Sequence, residues 1–384
     1  MAGCLWGTEA AAQASGSNNP TPLTTPWWIA LLLGPVVVSA IVSGIIGYFT
    51  SRHIEQVRGK LQREVEQVRG VLQQEVEARK ADLVDRNSDR AARRDYEYEA
   101  RKRLYAEIEP LVFQLHDAVE EAYYRVISLA RSSRSGNLGV GAQSWINTED
   151  YYLYSTCHRL TQPVVMYRLL QRRMTFVDLT LDASIRVRYY LLKYYAYSFT
   201  DDFVLARAEP GLRYDPNAND PSSRREEEIA VYKHQGLMVG EVDKMLDAML
   251  VKDDEAGLRP MTLGEFESAA IPSGKHRASL EPLLDLLIAF SSETQPVLAR
   301  ILLVQACYCR LILATYSGAI TAESLGKGLD EFLADPETAR QFAWRAGEPV
   351  EAELAVAGRY VRERLGWISK LLEQTSGPTA SVQQ

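Results

Sequence analysis

The stretch Trp27–Phe49, WWIALLLGPVVVSAIVSGIIGYF, sets the expected organisation of this 384-residue chain. It contains no charged residue and is rich in leucine, valine and isoleucine. Because a helix rises about 1.5 Å per residue, roughly 20 apolar residues cross a bilayer core. Aromatic residues stand at both ends of the stretch, where amphipathic rings favour the membrane interface. The sequence therefore predicts one transmembrane helix over residues 27–49. Its predicted anchor residues are Trp27, Trp28, Tyr48, Phe49 and the adjacent Arg52.

The charges on either side of the span predict its orientation. Residues 1–26 contain one acidic residue, Glu9, and no lysine or arginine, whereas Arg52, Arg58, Lys60, Arg63 and Arg69 follow the span. By the positive-inside rule, the basic side stays in the cytoplasm. We therefore expect a single-pass protein of the plasma membrane. Residues 1–26 would form a disordered extracytoplasmic tail, and the C-terminal domain would be cytoplasmic.

An eleven-residue repeat follows the span. Residues 55–65, EQVRGKLQREV, and 66–76, EQVRGVLQQEV, are identical at nine positions, and 77–87, EARKADLVDRN, is a degenerate third copy. Eleven residues fill about three helical turns, so an apolar seam with this period stays nearly straight or winds slightly right-handed. We expect a helical stalk over residues 51–109. Asn87-Ser88 is its expected break, because both residues favour helix caps over helix interiors.

Two features predict that copies of this chain associate. Small residues four apart in the span allow helices to approach closely, and the one-sided stalk seam has little to bury except another copy or its own domain. The alternative is a single amphipathic stalk that packs on its domain or lies on the lipid surface. The predicted self-association residues are Ser39, Ser43, Gly47, Val57, Leu61, Val65, Val68, Leu72 and Val76.

Beyond the stalk, nearly every segment has helical spacing, and no alternation is long enough to require a sheet. We therefore expect an all-α cytoplasmic domain over residues 110–374, with a possible subdivision near 209–223 and a disordered tail over 375–384. One predicted helix extends from Arg224 to Val251, and Thr262 with Glu265 fits a capping box.

The segment from Val297 to Tyr316 is apolar enough to suggest a second span. It carries Arg300, Gln305 and Arg310, and an arginine deep in a bilayer costs up to about 3 kcal/mol on an insertion scale. We therefore expect a buried core helix of the domain.

Composition and motifs indicate little enzymatic chemistry. The net charge of −7 argues against general nucleic-acid binding. The four cysteines, Cys4, Cys157, Cys307 and Cys309, contain no CxxC pair, so neither a disulfide framework nor a zinc site is expected. No phosphate-binding glycine loop is recognisable. We expect no cofactor.

The histidines give no metal-binding signature either. His116 and Glu120 are four residues apart, but the paired Glu-x-x-His motifs of di-iron bundles are missing, so we expect no metal. Cys157 and His158 are adjacent, a spacing that does not place a base beside a nucleophile on a helix.

Tyrosine is the one unusual component, with 20 in the chain and many of them between Tyr151 and Tyr197. With nearby arginines they could form a surface that stacks on a nucleotide or contacts anionic headgroups. The simpler interpretation is tyrosines packed between helices with hydrogen-bonded hydroxyls. The candidate ligand surface consists of Arg172, Arg173, Arg186, Arg188, Tyr190, Tyr194, Asp201 and Asp202.

These features favour a membrane-anchored, self-associating scaffold or sensor that acts by protein–protein interaction at the cytoplasmic face. Its expected partners are the lipid bilayer, further copies of itself and a cytoplasmic protein. One alternative is a ligand-gated membrane effector of a bacterial stress or defence response. Another is an enzyme with an all-α active site that no motif reveals.

Overall fold

The computed structural model describes residues 27–138, 144–146, 150–173, 179–212, 214, 234–253, 257–288, 290–316, 320–347 and 350–375. Within these ranges the side chains of residues 27–38, 40, 41, 180, 322 and 372–375 are not described. The predicted tails, except Thr375, and most of the predicted subdivision at 209–223 lie outside the described residues. So do the side chains of Trp27 and Trp28.

The chain divides into two units, Met1–Ala91 and Ala92–Gln384. Helix α1, Trp27–Arg134, begins in the first unit and continues into the second as 108 residues of uninterrupted helix. The second unit begins at Ala92, whereas the predicted domain begins at residue 110, and the predicted domain bounds stay a prediction.

The expected break at Asn87-Ser88 was wrong, because α1 continues through both residues. Asparagine and serine each cost less than about 0.7 kcal/mol in a helix interior. Ion pairs one turn apart surround them, Arg86 to Asp82 at 2.9 Å and Arg93 to Glu97 at 3.1 Å. Such pairs each contribute about 0.2–0.5 kcal/mol to the helix, which offsets much of that cost.

Pro110 does not end the helix either. An interior proline costs about 3 kcal/mol. On both sides of it, Leu104, Ile108, Leu111 and Leu115 are buried in the core of the second unit. Full burial of each such side chain is worth about 1.5–3 kcal/mol, so packing outweighs the lost hydrogen bond.

The second unit is predominantly helical, as the sequence predicts. Its further helices are α2 (Tyr151–Arg173), α3 (Ala183–Ser198), α4 (Asp202–Arg207), α5 (Val239–Ala248), α6 (Leu263–Ala270), α7 (Arg277–Leu287), α8 (Pro296–Ala314), α9 (Ala322–Ala334), α10 (Pro336–Phe342) and α11 (Glu351–Thr375). A 3₁₀ turn, Leu179–Leu181, precedes α3. Helix α8 packs against α3, α4, α9 and α11, whereas α2 packs against α3, α6 and α7.

One antiparallel hairpin departs from the predicted helix over Arg224–Val251. Strand β1, Leu250–Asp253, pairs with β2, Gly257–Pro260, so that Val251 faces Arg259. Helix α5 ends at Ala248 instead. Arg259 donates to Asp253 at 3.2 Å and to both carboxylate oxygens of Glu265 at 2.8 Å, which ties the hairpin to α6.

The expected core helix is present. Among the residues whose side chains are described, α8 is the one helix whose length and composition would suit a membrane span, and it lies mostly buried within the second unit. Arg310 and Ala314 are its exposed residues. The capping box is also confirmed: Glu265 N–H donates to Thr262 Oγ1 at 3.3 Å, and Thr262 N–H donates to Glu265 Oε2 at 2.8 Å.

Candidate functional site

An exposed apolar stripe runs along α1 in the first unit. Its side chains remain 43–62% exposed from Ile54 to Val76. At about 100° per residue, these positions fall within an arc of about 100° on one side of the helix. We call this stripe the seam. It consists of Ile54, Val57, Leu61, Val65, Val68, Leu72 and Val76.

The described residues of the predicted span lie on the same helix and are exposed. Ser39, Ser43 and Gly47 all present open surface. Tyr48 and Phe49 meet edge to face with ring centroids 6.0 Å apart. The guanidinium of Arg52 donates to the Tyr48 hydroxyl at 3.4 Å and lies 5.9 Å from that ring's centroid. An aromatic pair backed by an arginine is the composition typical of a membrane interface.

The candidate ligand surface divides among several partners in the second unit. Arg172 pairs with Asp247 of α5 at 2.7 Å, and Arg173 pairs with Glu107 of α1 at 3.4 Å. Burial opposes ionisation of Asp247, but hydrogen bonds from Arg168 and Arg172 outweigh it and lower the pKa of that carboxyl. These two arginines therefore already contact acidic residues on neighbouring helices.

Arg186 and Arg188 differ sharply although both lie on α3. Arg188 donates to the Thr315 hydroxyl and carbonyl, each at 2.9 Å, and lies 4.3 Å from the centroid of the Tyr316 ring. Arg186 is 6% exposed, and its Nε and Nη1 atoms are buried without a hydrogen-bond partner. Buried guanidinium nitrogens that lack a hydrogen-bond partner are costly.

Asp201 and Tyr194 come together with two residues of α11 that the sequence did not single out. The Asp201 carboxylate accepts hydrogen bonds from the Tyr360 hydroxyl and from Arg364 Nη2, the latter at 3.2 Å. The Arg364 guanidinium lies 5.0 Å from the Tyr360 ring centroid and 5.9 Å from that of Tyr194. We call this group the Asp201 cluster.

The contacts of the Asp201 cluster connect α11 to the corner between α3 and α4. Burial, and then the nearby Asp201 carboxylate, raises the pKa of Tyr360. Its hydroxyl therefore stays protonated and donates to Asp201, as a structural tyrosine does. Asp202 makes a separate contact, accepting from the Tyr214 hydroxyl at 2.7 Å. Tyr190 contacts the ring of Tyr189 and the ammonium of Lys193.

Sequence reasoning missed Tyr360 and Arg364, which lie about 160 residues after Asp201. No local spacing connects positions so far apart, so the one available signal was the presence of an arginine and a tyrosine four apart on one face of a predicted helix.

A cavity of about 150 Å³ lies beside α8. Its lining combines apolar groups with Arg300, Arg345 and Glu353. All five N–H donors of Arg300 are used: two bonds go to Glu353, and the others go to the carbonyls of Leu205, Ala208 and Pro210. Arg300 thus caps carbonyl groups at the C-terminal end of α4, and none of its N–H donors remains for a ligand. The indole nitrogen of Trp344, which also lines the cavity, is buried without a partner.

One group of possible cation ligands lies among the described residues, His116, Asp117 and Glu120 on α1. Their donor atoms lie within 4.8 Å of one another. His116 Nδ1 is 3.6 Å from Asp117 Oδ1, and the imidazole packs edge to face on Tyr316 at 4.9 Å. All three ligands come from one helix and are partly or fully exposed. The absence of a metal site stays a prediction.

The buried nucleophiles of the second unit are shielded. Cys157, Cys307 and Cys309 are free and fully buried. Burial raises the pKa of Cys307 to about 12 and raises the pKa of the other two thiols as well. Thiols of this kind do not ionise near neutral pH and are inert as nucleophiles. His158 Nε2 contacts the Met261 carbonyl at 3.0 Å and the Gln162 amide at 2.6 Å, rather than the Cys157 thiol.

Comparison with protein-family models, with curated proteins and with solved structures found no significant match.

Proposed function

We propose that this chain is a membrane-anchored, self-associating helical scaffold or sensor at the cytoplasmic face. Residues 27–49 anchor it as a single span with the N-terminus outside. The repeats after the span associate with other copies, and the all-α unit presents a surface to a cytoplasmic protein.

The exposed seam of α1 is the observation that supports this proposal best. Soluble monomers rarely leave a contiguous apolar stripe of this length in water. A helix with one apolar face is stabilised when that face packs against another element. Within the first unit, no described residue covers the seam.

Magnitudes indicate why a membrane anchor would matter for association. Covering the exposed part of one seam side chain contributes on the order of 1 kcal/mol. Two facing seams together contribute on the order of 10 kcal/mol. Association from dilute solution costs about 4–15 kcal/mol in lost freedom. Chains confined to one bilayer with one orientation have already lost part of that freedom, so the same seam associates more readily there.

The seam is tested by a double substitution in the full-length protein. Leu61→Glu/Leu72→Glu places two charges in the seam, and we expect chemical crosslinking of membranes containing this variant to yield monomers. The matched control is Gln56→Glu/Gln67→Glu, which adds the same charges at the same spacing on the opposite face. Unchanged oligomers in the seam variant would remove self-association through the repeats.

The anchor is tested separately by fractionation. The intact chain should sediment with membranes, resist extraction by high salt and dissolve in detergent. A membrane-impermeant maleimide should label Cys4 on intact cells, since Cys4 precedes the span. Recovery of the intact chain in a detergent-free, high-speed supernatant would reject the anchor, and labelling of Cys4 only after lysis would reverse the orientation.

The cavity beside α8 favours one further candidate function, the ligand-gated membrane effector. An unpartnered indole N–H and Arg345 at its lining would suit a small molecule that carries an acceptor or an anionic group. Acetate, phosphate and nucleoside monophosphates can be screened for thermal stabilisation of the detergent-solubilised chain. A stabilising compound that also releases dye from liposomes containing the chain would favour this function, and stabilisation without release would argue against it.

A further inference from the structure

The two edges of the seam carry charges of opposite sign. On an ideal helix Arg58 and Arg69 lie about 50–70° to one side of the seam's centre, and Glu64 and Glu75 lie about as far to the other side. All four side chains are exposed. Each sign recurs after eleven residues, in step with the repeat, so the pattern belongs to the seam rather than to the overall composition.

Glu64 and Arg69 occupy the two positions that control pairing in coiled coils. Glu64 directly precedes the seam residue Val65, and Arg69 directly follows the seam residue Val68. They are five residues apart, or about 7.5 Å along the axis. In coiled coils, such flanking positions form the ion pairs between helices that set partner and orientation.

Within the described part of the chain, neither Glu64 nor Arg69 forms an ion pair or a side-chain hydrogen bond with a residue of its own helix. The ion pairs nearest to them along α1 join Arg79 to Glu75 at 2.7 Å and Arg86 to Asp82 at 2.9 Å. Arg79 stands at the seam position of the degenerate third copy, where the first two copies have valine. The apolar seam therefore weakens after Val76.

Orientation decides which edges meet. In a parallel pair the left edge of one seam faces the right edge of the other, so glutamates face arginines. In an antiparallel pair like edges face each other, which places arginine against arginine and glutamate against glutamate. Opposite charges at close range attract, and like charges repel. The edge pattern thus favours one orientation over the other.

We propose that the repeats of two copies of this chain pair in parallel and in register, with Glu64 of each copy opposite Arg69 of the other. The proposal rests on the self-association proposed above and specifies its partner, direction and alignment. We take the partner to be a second copy because the glutamate edge of one seam complements the arginine edge of the other, and the reverse, at the same time. An anionic lipid surface would attract the arginine edge and repel the glutamate edge.

Charge exchange in the full-length, detergent-solubilised protein tests the pairing. Glu64→Arg alone and Arg69→Glu alone each place like charges across the seam. We expect either variant to raise the dissociation constant of the oligomer on the order of tenfold. The double variant Glu64→Arg/Arg69→Glu restores opposite charges and should return to the wild-type constant.

Matched controls lie on the outer face of the same two turns. Glu66→Arg and Arg63→Glu make the same charge changes away from the seam, and neither should alter the constant by more than about twofold. Circular dichroism of every variant verifies that the helix is retained. Equal effects from the seam-edge and outer-face variants, or a double variant no better than the single ones, would overturn the proposed ion pairs.

Cysteine crosslinking tests direction and register directly. In a Cys4→Ser background, Val57→Cys alone should form a disulfide-linked dimer on mild oxidation, because identical positions meet only in a parallel, in-register pair near the seam's end. A mixture of Val57→Cys with Val76→Cys chains should give no mixed dimer. A predominant mixed dimer would show antiparallel pairing. If the mixed dimer predominates, and Leu61→Glu/Leu72→Glu still abolishes dimers, then self-association through the seam is retained and the proposed parallel orientation is rejected.

Discussion

The guanidinium of Arg300 on α8 and the carboxylate of Glu353 on α11 form a bidentate pair, with Nε to Oε2 at 2.5 Å and Nη2 to Oε1 at 2.9 Å. Arg300 is 1% exposed, whereas its partner lies at the protein surface with 30% exposure. The same guanidinium also holds the last carbonyls of α4. One side chain therefore connects three helices.

Loss of the Glu353 charge should destabilise the second unit. A buried arginine without its carboxylate keeps its desolvation penalty. We expect Glu353→Gln to lower the free energy of unfolding by about 2 kcal/mol in urea titrations. The comparison is Asp330→Asn, which removes an exposed partner of Arg362 on the same helix as Glu353 and should cost less than about 1 kcal/mol. Equal losses in the free energy of unfolding for the two variants would mean that the burial of Arg300 does not add to the strength of its ion pair.

Arg186→Met should stabilise the protein. The substitution replaces two unpartnered buried donors with an apolar chain of similar length, and each unsatisfied buried polar group costs about 1–3 kcal/mol. Thermal unfolding should therefore shift upward. Arg188→Met, on the same helix, removes two hydrogen bonds and a ring contact and should shift it downward. A destabilised Arg186→Met variant would indicate a role for this guanidinium that compensates its burial.

The stability of the second unit should decrease as the pH falls below about 6.5, the value at which an unfolded histidine titrates. Burial lowers the pKa of His158, so the folded state binds its proton less readily than the unfolded chain. The unfolded state then gains protons first, and the free energy of unfolding falls with pH. His158→Gln removes this dependence. Its melting temperature should decline less than that of the wild type between about pH 7.5 and about pH 5.5.

That comparison isolates His158, because carboxylates and other histidines titrate equally in both proteins. Parallel declines in wild type and variant would show that His158 is protonated in the folded state after all.

Three cysteines should be unreactive in the folded protein. Burial denies access to Cys157, Cys307 and Cys309 and raises the pKa of each thiol, to about 12 for Cys307. In a Cys4→Ser variant we expect no reaction with a disulfide reagent at about pH 8 until denaturant is added. Full reaction follows unfolding. Rapid labelling of any thiol without denaturant would reveal local opening around α2 or α8.

The sequence predicted features whose determinants are local. The Thr262–Glu265 capping box forms as expected, because a helix cap depends on residues only a few positions apart. The expectation that α8 is a core helix and not a second span is confirmed, and it was based on the cost of placing its arginines in a bilayer. The end of the predicted helix at Val251 was wrong, since β1 and β2 are short and stabilise each other only as a pair.

Contacts between distant segments were beyond sequence reasoning. A proline predicts the end of a helix because its cost to helix stability follows from the residue itself. The packing that offsets this cost at Pro110 depends on residues from the whole core. The sequence placed Tyr194 and Asp201 in a candidate ligand surface, which stays a prediction, and it did not indicate their contacts within the Asp201 cluster. Its other half, Tyr360 and Arg364, depends on how α11 returns to the α3–α4 corner.

Arg79 has a consequence for alignment along the axis. Two copies displaced by one eleven-residue unit would still match Val57 with Val68 and Leu61 with Leu72, so the repetition alone tolerates such slippage. The displaced arrangement would, however, set Val68 against Arg79 and Val76 against Asn87. In the proposed pair, the cationic side chain just beyond Val76 would therefore penalise such sliding, and the aligned arrangement would place no charge against an apolar side chain between Ile54 and Val76.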